Sequence, residues 1–332
     1  MLTQAEYYSN YHIGYKRQGR GNFVKIFFWI AALTILGLII LKLLNLFVPT
    51  QSKSVNIISP LSQDFKLETL GSAVERAENS SLSKIVEKNL ENQGGSYAVG
   101  ILNLTTGDEY FKNKHQIFDT ASLYKLWVMG LIYQKIENGT LQKNTVLSDS
   151  VENLNKKFNI ASESAERKEG EVKMSVENAI DLMITKSDNY SALLLSSYLG
   201  ISKIQLYLNE HGFSESKLGS SETLPSTSVY DILQFFYKLY YGELADKEFS
   251  EEMTTILRRQ VLNGKIPKYL PDNTEIAHKT GELGMYSHDA GIVYSKNGPY
   301  IIVVLSDANN KKTADETIAQ ISKEVYNYFI SQ

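Results

Sequence analysis

Thr120-Ala121-Ser122-Leu123-Tyr124-Lys125-Leu126-Trp127-Val128-Met129 is the stretch around which the chain is organised. A serine and a lysine stand three residues apart at the start of a strongly apolar segment. On a helix, positions i and i+3 share a face, so the Lys125 ammonium lies beside the Ser122 hydroxyl. A serine hydroxyl is a weak nucleophile until it is activated by a base or a nearby cation. Lysine can be that base when burial or neighbouring cations lower its pKa. The segment runs on to about Asn138, where Gly139 stops it. Leu123, Leu126, Trp127, Val128, Met129, Leu131 and Ile132 make it apolar almost all round, which predicts a central buried helix. A lysine there is costly without partners, which points to a purpose for Lys125. The same spacing recurs at Ser81…Lys84 and Ser214…Lys217, so the pair alone does not decide the chemistry.

Working outward, residues 72–92 carry helical spacing at Val74, Leu82, Ile85, Val86 and Leu90, and Gly94-Gly95 stops that helix. Ser96–Leu104 alternates, Thr105-Thr106-Gly107-Asp108 turns, and Glu109–Phe111 returns, which predicts a hairpin. Residues 140–241 read as mainly helical, with a charged exposed loop over 161–173 and an irregular Gly/Ser-rich stretch over 212–226. A further helix is expected around 248–263. Thr274–Lys279, Tyr286–Tyr294 and Tyr300–Ser306 are strand-like, and a closing helix covers about 312–330. Two strands, a helical insert and three strands argue for an α+β (α/β) fold. It has one antiparallel five-stranded sheet, covered by the terminal helices, beside an all-helical lobe.

The chain has 332 residues and a net charge of −3, too small to direct binding to nucleic acid. Cysteine is absent, which excludes disulfides, thiolate zinc sites and a cysteine nucleophile. The five histidines (His12, His115, His211, His278 and His288) show no metal-ligand spacing. No Gly-x-Ser-x-Gly elbow or phosphate-binding glycine loop is present, so no metal and no cofactor is expected.

At the amino terminus, residues 1–25 are largely polar, with Lys16, Arg17, Arg20 and Lys25. Residues 26–48 form an apolar run of 23 residues interrupted only by Lys42. That is long enough to span a bilayer, with Lys42 snorkelling to the interface. The preceding basic cluster puts the amino terminus in the cytoplasm. Residues 49–71 read as a linker. The expectation is a single-pass transmembrane anchor in the lipid bilayer carrying a monomeric, extracytoplasmic domain over 72–332.

Ser122-x-x-Lys125, Ser187-Asp188-Asn189 and Lys279-Thr280-Gly281 follow one another in this order, and the last two occur once each. On these motifs the chain resembles the penicillin-recognising serine hydrolases, class A β-lactamases most of all, over roughly residues 72–330. The resemblance implies a β-lactamase/transpeptidase-like fold and hydrolysis of β-lactam amides through an acyl-enzyme. The alternatives are a DD-peptidase acting on peptidoglycan peptides, or a sensor that binds and stays acylated. It further implies that Ser122 is acylated, that Lys125 activates it and that Ser187 relays a proton to the leaving nitrogen. Lys279, Thr280 and Gly281 would serve the substrate carboxylate side, and Asn189 the substrate amide. Backbone N–H groups of Ser122 and Glu282 would form the oxyanion hole. Asp188 is read as structural.

The pattern departs from the family in four places. The loop between the second and third motifs, His211–Thr227, is short; it carries Glu215-Ser216-Lys217-Leu218-Gly219 in place of Glu-x-x-Leu-Asn. Glu215 and Glu222 are each either the base for deacylation or a solvated loop carboxylate. Glu282 puts a carboxylate beside the oxyanion hole, where it would repel an anionic substrate. No arginine follows Arg259, leaving His288 or Lys296 as substitutes for the usual cation.

Overall fold

The computed structural model describes residues 81–219 and 223–332. The expected tail, anchor and linker, the first part of the helix at 72–92, and Glu222 lie outside the described residues. No helix among the described residues is long and apolar enough to cross a membrane.

Helix α1 (Ser81–Leu90) leads into strands β1 (Gly95–Asn103) and β2 (Glu109–Lys112). A short strand β3 (Phe118–Asp119) and a 3-10 turn (Ala121–Leu123) introduce α2 (Tyr124–Glu137). The insert then holds β4 (Val146–Ser150), α3 (Val151–Lys157), β5 (Glu171–Ser175), α4 (Val176–Thr185), α5 (Asn189–Leu199) and α6 (Ile201–Glu210). Strand β6 (Ser226–Thr227), α7 (Val229–Tyr241) and α8 (Lys247–Arg258) complete it. Strands β7 (Glu275–Leu283), β8 (Tyr286–Ser295) and β9 (Gly298–Ala308) and helix α9 (Lys311–Ser331) close the chain.

The main sheet is antiparallel, in the order β2-β1-β9-β8-β7. The expected five strands are therefore present, joined where β1 pairs with β9. Both faces of the sheet are covered, so β9 reads as one continuous apolar run. Ile301, Val303 and Leu305 pack toward the helical lobe, while Tyr300, Ile302 and Val304 pack under α1 and α9. Gly100 permits the approach of α7, since a Cβ there would lie 2.5 Å from Val229.

Helix α2 runs through the larger core and is buried on every side, as its sequence predicts. Gly130 on this helix leaves room for Tyr207 of α6; a Cβ would meet the phenol oxygen at 2.2 Å. Two expectations need correction. The hairpin β4–β5 lies within the stretch read as helical, because its residues alternate only weakly in burial. Lys279-Thr280-Gly281 lies inside β7, not at the end of a strand, while Glu282 follows it on the same strand as expected.

Candidate active site

Ser122 is half-buried in the 3-10 turn that precedes α2, so the helix proper begins two residues later than expected. In a 3-10 turn, positions i and i+3 eclipse, which keeps Ser122 and Lys125 on one side. Ala121 just before it has φ +45°, a left-handed conformation that costs a non-glycine residue about 1 kcal/mol. The turn is held from two directions. The Thr120 N–H donates to Pro225 O at 2.8 Å. Gly281 of β7 presses from the other side; a Cβ there would lie 3.0 Å from Thr120 O and 3.2 Å from Leu123.

Lys125 is fully buried. Its Nζ donates to Ser187 O at 2.5 Å, Asn189 Oδ1 at 2.8 Å and Ser187 Oγ at 3.2 Å. These are three acceptors for the three hydrogens of an ammonium. Burial lowers its pKa to about 8, against the charges of Asp188 and Glu166, which act the other way. Ser187 has φ +58°, and this left-handed kink presents both its carbonyl and its hydroxyl to Lys125. Asp188 is the N-cap of α5, accepting from the Ser191 N–H at 2.7 Å, which agrees with a structural role.

Lys279 reaches the same hydroxyl from the sheet. Its Nζ donates to Ser187 Oγ at 3.0 Å and to Thr280 O at 2.8 Å. Burial, and then the nearby Lys125 charge, press its pKa well below the ordinary lysine range. Two buried amines sharing one hydroxyl repel, so the pair releases a proton more readily than a free lysine. Ser187 accepts from both amines and keeps its own O–H to donate. That is what a relay between a base and a leaving group requires. Glu282 lies two residues beyond Thr280 on β7, the edge strand that packs against the Ser122 turn.

The carboxylate of Glu282 does not stand free. It bonds Lys265 Nζ at 2.6 Å and Lys311 Nζ at 2.8 Å. Partial burial would raise its pKa, but the two ammonium groups outweigh that and hold it below the usual range. The expected repulsion is thus largely neutralised. His288 is not the missing cation. It is fully buried, and burial lowers its pKa to about 4. It accepts from the Ser306 N–H through Nδ1 and donates from Nε2 to Asp119 O. Lys296 lies in the β8–β9 turn, six residues past the Ala290 partner of Lys279, or about 20 Å along the strand. The cation near Lys279 is Lys265, almost fully buried, whose charge also bears on His288. Sequence reasoning missed it because the 259–274 segment carries no pattern. His278 is a satisfied strand histidine, bonded to Asp289 at 2.9 Å and Asn263 at 3.2 Å.

The shortened loop does not deliver Glu215 to the cluster. One carboxylate oxygen lies 2.7 Å from His115 Nδ1, and the other accepts from Ser228, the N-cap of α7. Gly219 stands where the family pattern has asparagine, and a Cβ there would lie 2.0 Å from Thr223 O. The loop is folded too tightly for that side chain. Beneath it lies a cavity of about 260 Å³ lined by Tyr124, Phe158, Ile160, Leu218 and Leu224 among others. Among its described lining residues there is no carboxylate. The carboxylate that does reach the site is Glu166, from the loop read as merely exposed; it accepts from Asn189 Nδ2 at 2.5 Å.

A sheet edge pressed on a serine turn, with two buried lysines sharing a second serine, places the molecule among the penicillin-recognising serine hydrolases of the class A kind. The chain belongs to the Beta-lactamase enzyme family, whose model matches residues 80–329. It is 22% identical over 280 residues to beta-lactamase VEB-1 of Pseudomonas aeruginosa, covering 77% of this chain and 93% of that protein. Its fold is similar to that of PBP-A, with a TM-score of 0.67 at 21% identity over 76% of this chain and 97% of that one. The TLA-3 extended-spectrum beta-lactamase follows at 0.66 and 20% identity, covering 75% of this chain and 98% of that one.

Proposed function

We propose that this serine hydrolase opens β-lactam amides through an acyl-enzyme on Ser122. The observation that carries the reading is the Ser187 hydroxyl held between Lys125 and Lys279 at 3.2 and 3.0 Å. The neutral Lys125 amine takes the Ser122 proton as the oxygen attacks the lactam carbonyl. The carbonyl oxygen becomes an oxyanion received by the Ser122 and Glu282 N–H groups. As the C–N bond breaks, Ser187 gives its proton to the leaving nitrogen and is refilled from the Lys125–Lys279 pair. Lys279, Thr280 and Gly281 lie on the substrate carboxylate side, where Lys265 and Lys311 offset the charge of Glu282. A chromogenic cephalosporin tests this: product should form with the wild type and not with Ser122→Ala. Equal rates in both would refute the nucleophile.

A second reading concerns release of the acyl group. Glu215 is engaged by His115 and Ser228, which favours this reading. In it the acyl-enzyme persists, as in a DD-peptidase or a sensor. A burst of one equivalent followed by slow turnover, with a stable adduct by mass spectrometry, supports that reading. Steady turnover without a burst argues against it.

We further propose that residues 26–48 anchor the chain in the cell membrane with the catalytic part outside the cytoplasm. The support is the length of the apolar run and its basic flank. Recovery of the full chain in the soluble fraction after cell lysis would refute the anchor.

A further inference from the structure

We infer that Glu166 makes this site select acyl donors that carry an ammonium group beside the amide read by Asn189. The inference rests on the acyl-transfer reading above and names a substrate class within it.

Asn189 has one amide, and Lys125 fixes its orientation. The Lys125 ammonium donates to Oδ1 at 2.8 Å, so Nδ2 must face the opening. Nδ2 is the donor that would hold the amide carbonyl of an incoming substrate. Here it donates to Glu166 Oε1 at 2.5 Å. A neutral or anionic donor that takes Nδ2 leaves the Glu166 carboxylate without its partner. A donor with an ammonium next to its amide replaces that partner as it binds, carbonyl to Nδ2 and ammonium to carboxylate.

The loop backbone next to the exposed Glu166 side chain is held in place by a built clamp. Tyr190, the residue after Asn189, is buried, and its hydroxyl accepts from the N–H of Arg167, the residue after Glu166, at 3.1 Å. The same hydroxyl lies 2.7 Å from Arg167 O and 2.9 Å from Asn155 Oδ1, with its single proton serving these acceptors. Asn155 Nδ2 closes the ring by donating to Arg167 O at 2.9 Å. Adjacent residues on the loop and on α5 are thereby matched, Arg167 to Tyr190 and Glu166 to Asn189. The Arg167 cation is engaged elsewhere. Its guanidinium lies 5.1 Å from the centre of the Tyr190 ring and donates to Glu171 O at 3.3 Å.

The test compares three penicillins that differ at one carbon beside the amide: ampicillin with an ammonium, benzylpenicillin with hydrogen, and carbenicillin with a carboxylate. Second-order acylation rates of the full chain are measured at about pH 6, where the ampicillin amine is protonated. The wild type should favour ampicillin over carbenicillin by about tenfold, the scale of one ion pair gained against one repulsion. Glu166→Gln keeps an acceptor for Nδ2 and removes only the charge, so the ratio should fall to near one. Any effect of the lost charge on Lys125 acts on all three substrates alike and cancels in the ratio. Tyr190→Phe, which frees the loop, should also shrink the ratio. A ratio unchanged by Glu166→Gln overturns the inference. So does a Glu166→Gln enzyme that acylates normally with all three and accumulates each adduct, which would make Glu166 a deacylation base. If none of the three acylates the wild type, the acyl-transfer reading itself fails, and the selection with it.

Discussion

Raising the pH from about 6 to about 8 titrates the buried amine pair at Ser187 and should carry the acylation of Ser122 up with it. Lys125 is the base only in its neutral form, and burial places its pKa at about 8. A group with that pKa is about 1% neutral at pH 6, about 9% at pH 7 and half neutral at pH 8. The acylation rate should therefore rise close to tenfold over the first unit and about fifty-fold over both, then at most about twofold beyond. Because Lys279 shares the Ser187 hydroxyl, the limb belongs to the pair and not to one amine. The assay is stopped-flow acylation by a chromogenic cephalosporin under single-turnover conditions. Asp188→Asn gives an internal control. Asparagine caps a helix as well as aspartate does, so α5 keeps its start. The lost negative charge is one that raises the Lys125 pKa, so its removal lowers that pKa and moves the limb to lower pH. A rate that is flat or falls between pH 6 and 8 would refute a neutral lysine base.

Glu215→Ala should leave deacylation unchanged and lower thermal stability by about 1 kcal/mol, the worth of its hydrogen bonds to His115 and Ser228; a turnover collapse would restore it as the base. In Gly219→Ala the new methyl meets Thr223 O at 2.0 Å, so the backbone must part, at about 1–3 kcal/mol in a denaturant titration. Lys265→Met should weaken KM for an anionic β-lactam more than kcat and cost about 1–2 kcal/mol of stability. That is less than a fully buried pair would cost, because Glu282 is partly exposed and keeps Lys311.

Much of the fold was legible from local pattern. The apolar helix after Ser122, the β1–β2 hairpin and the three closing strands each announce themselves by period and by glycine stops, and their order implies the sheet. The hairpin β4–β5 was not legible, because Val146–Ser150 alternates between exposed and half-exposed residues and offers no apolar face. Ser122, Lys125, Ser187 and Lys279 could be picked out because each sits in a short motif, and the structure brings Lys125, Ser187 and Lys279 into one hydrogen-bonded cluster. Glu166 and Lys265 sit in no motif.

The sequence by itself determined the long helices and the strands of the main sheet, though not the β4–β5 hairpin, since hydrophobic period acts over neighbouring residues, and its three short motifs singled out the serines and lysines of the site. Only the tertiary structure decided which carboxylate meets that site. Glu215 has the suggestive spacing, yet its loop turns it to His115 and Ser228. Glu166 lies 23 residues before Asn189 in a charged loop and reaches it because Tyr190 clamps Arg167. Contacts of that kind depend on how distant segments pack, and no local periodicity encodes them.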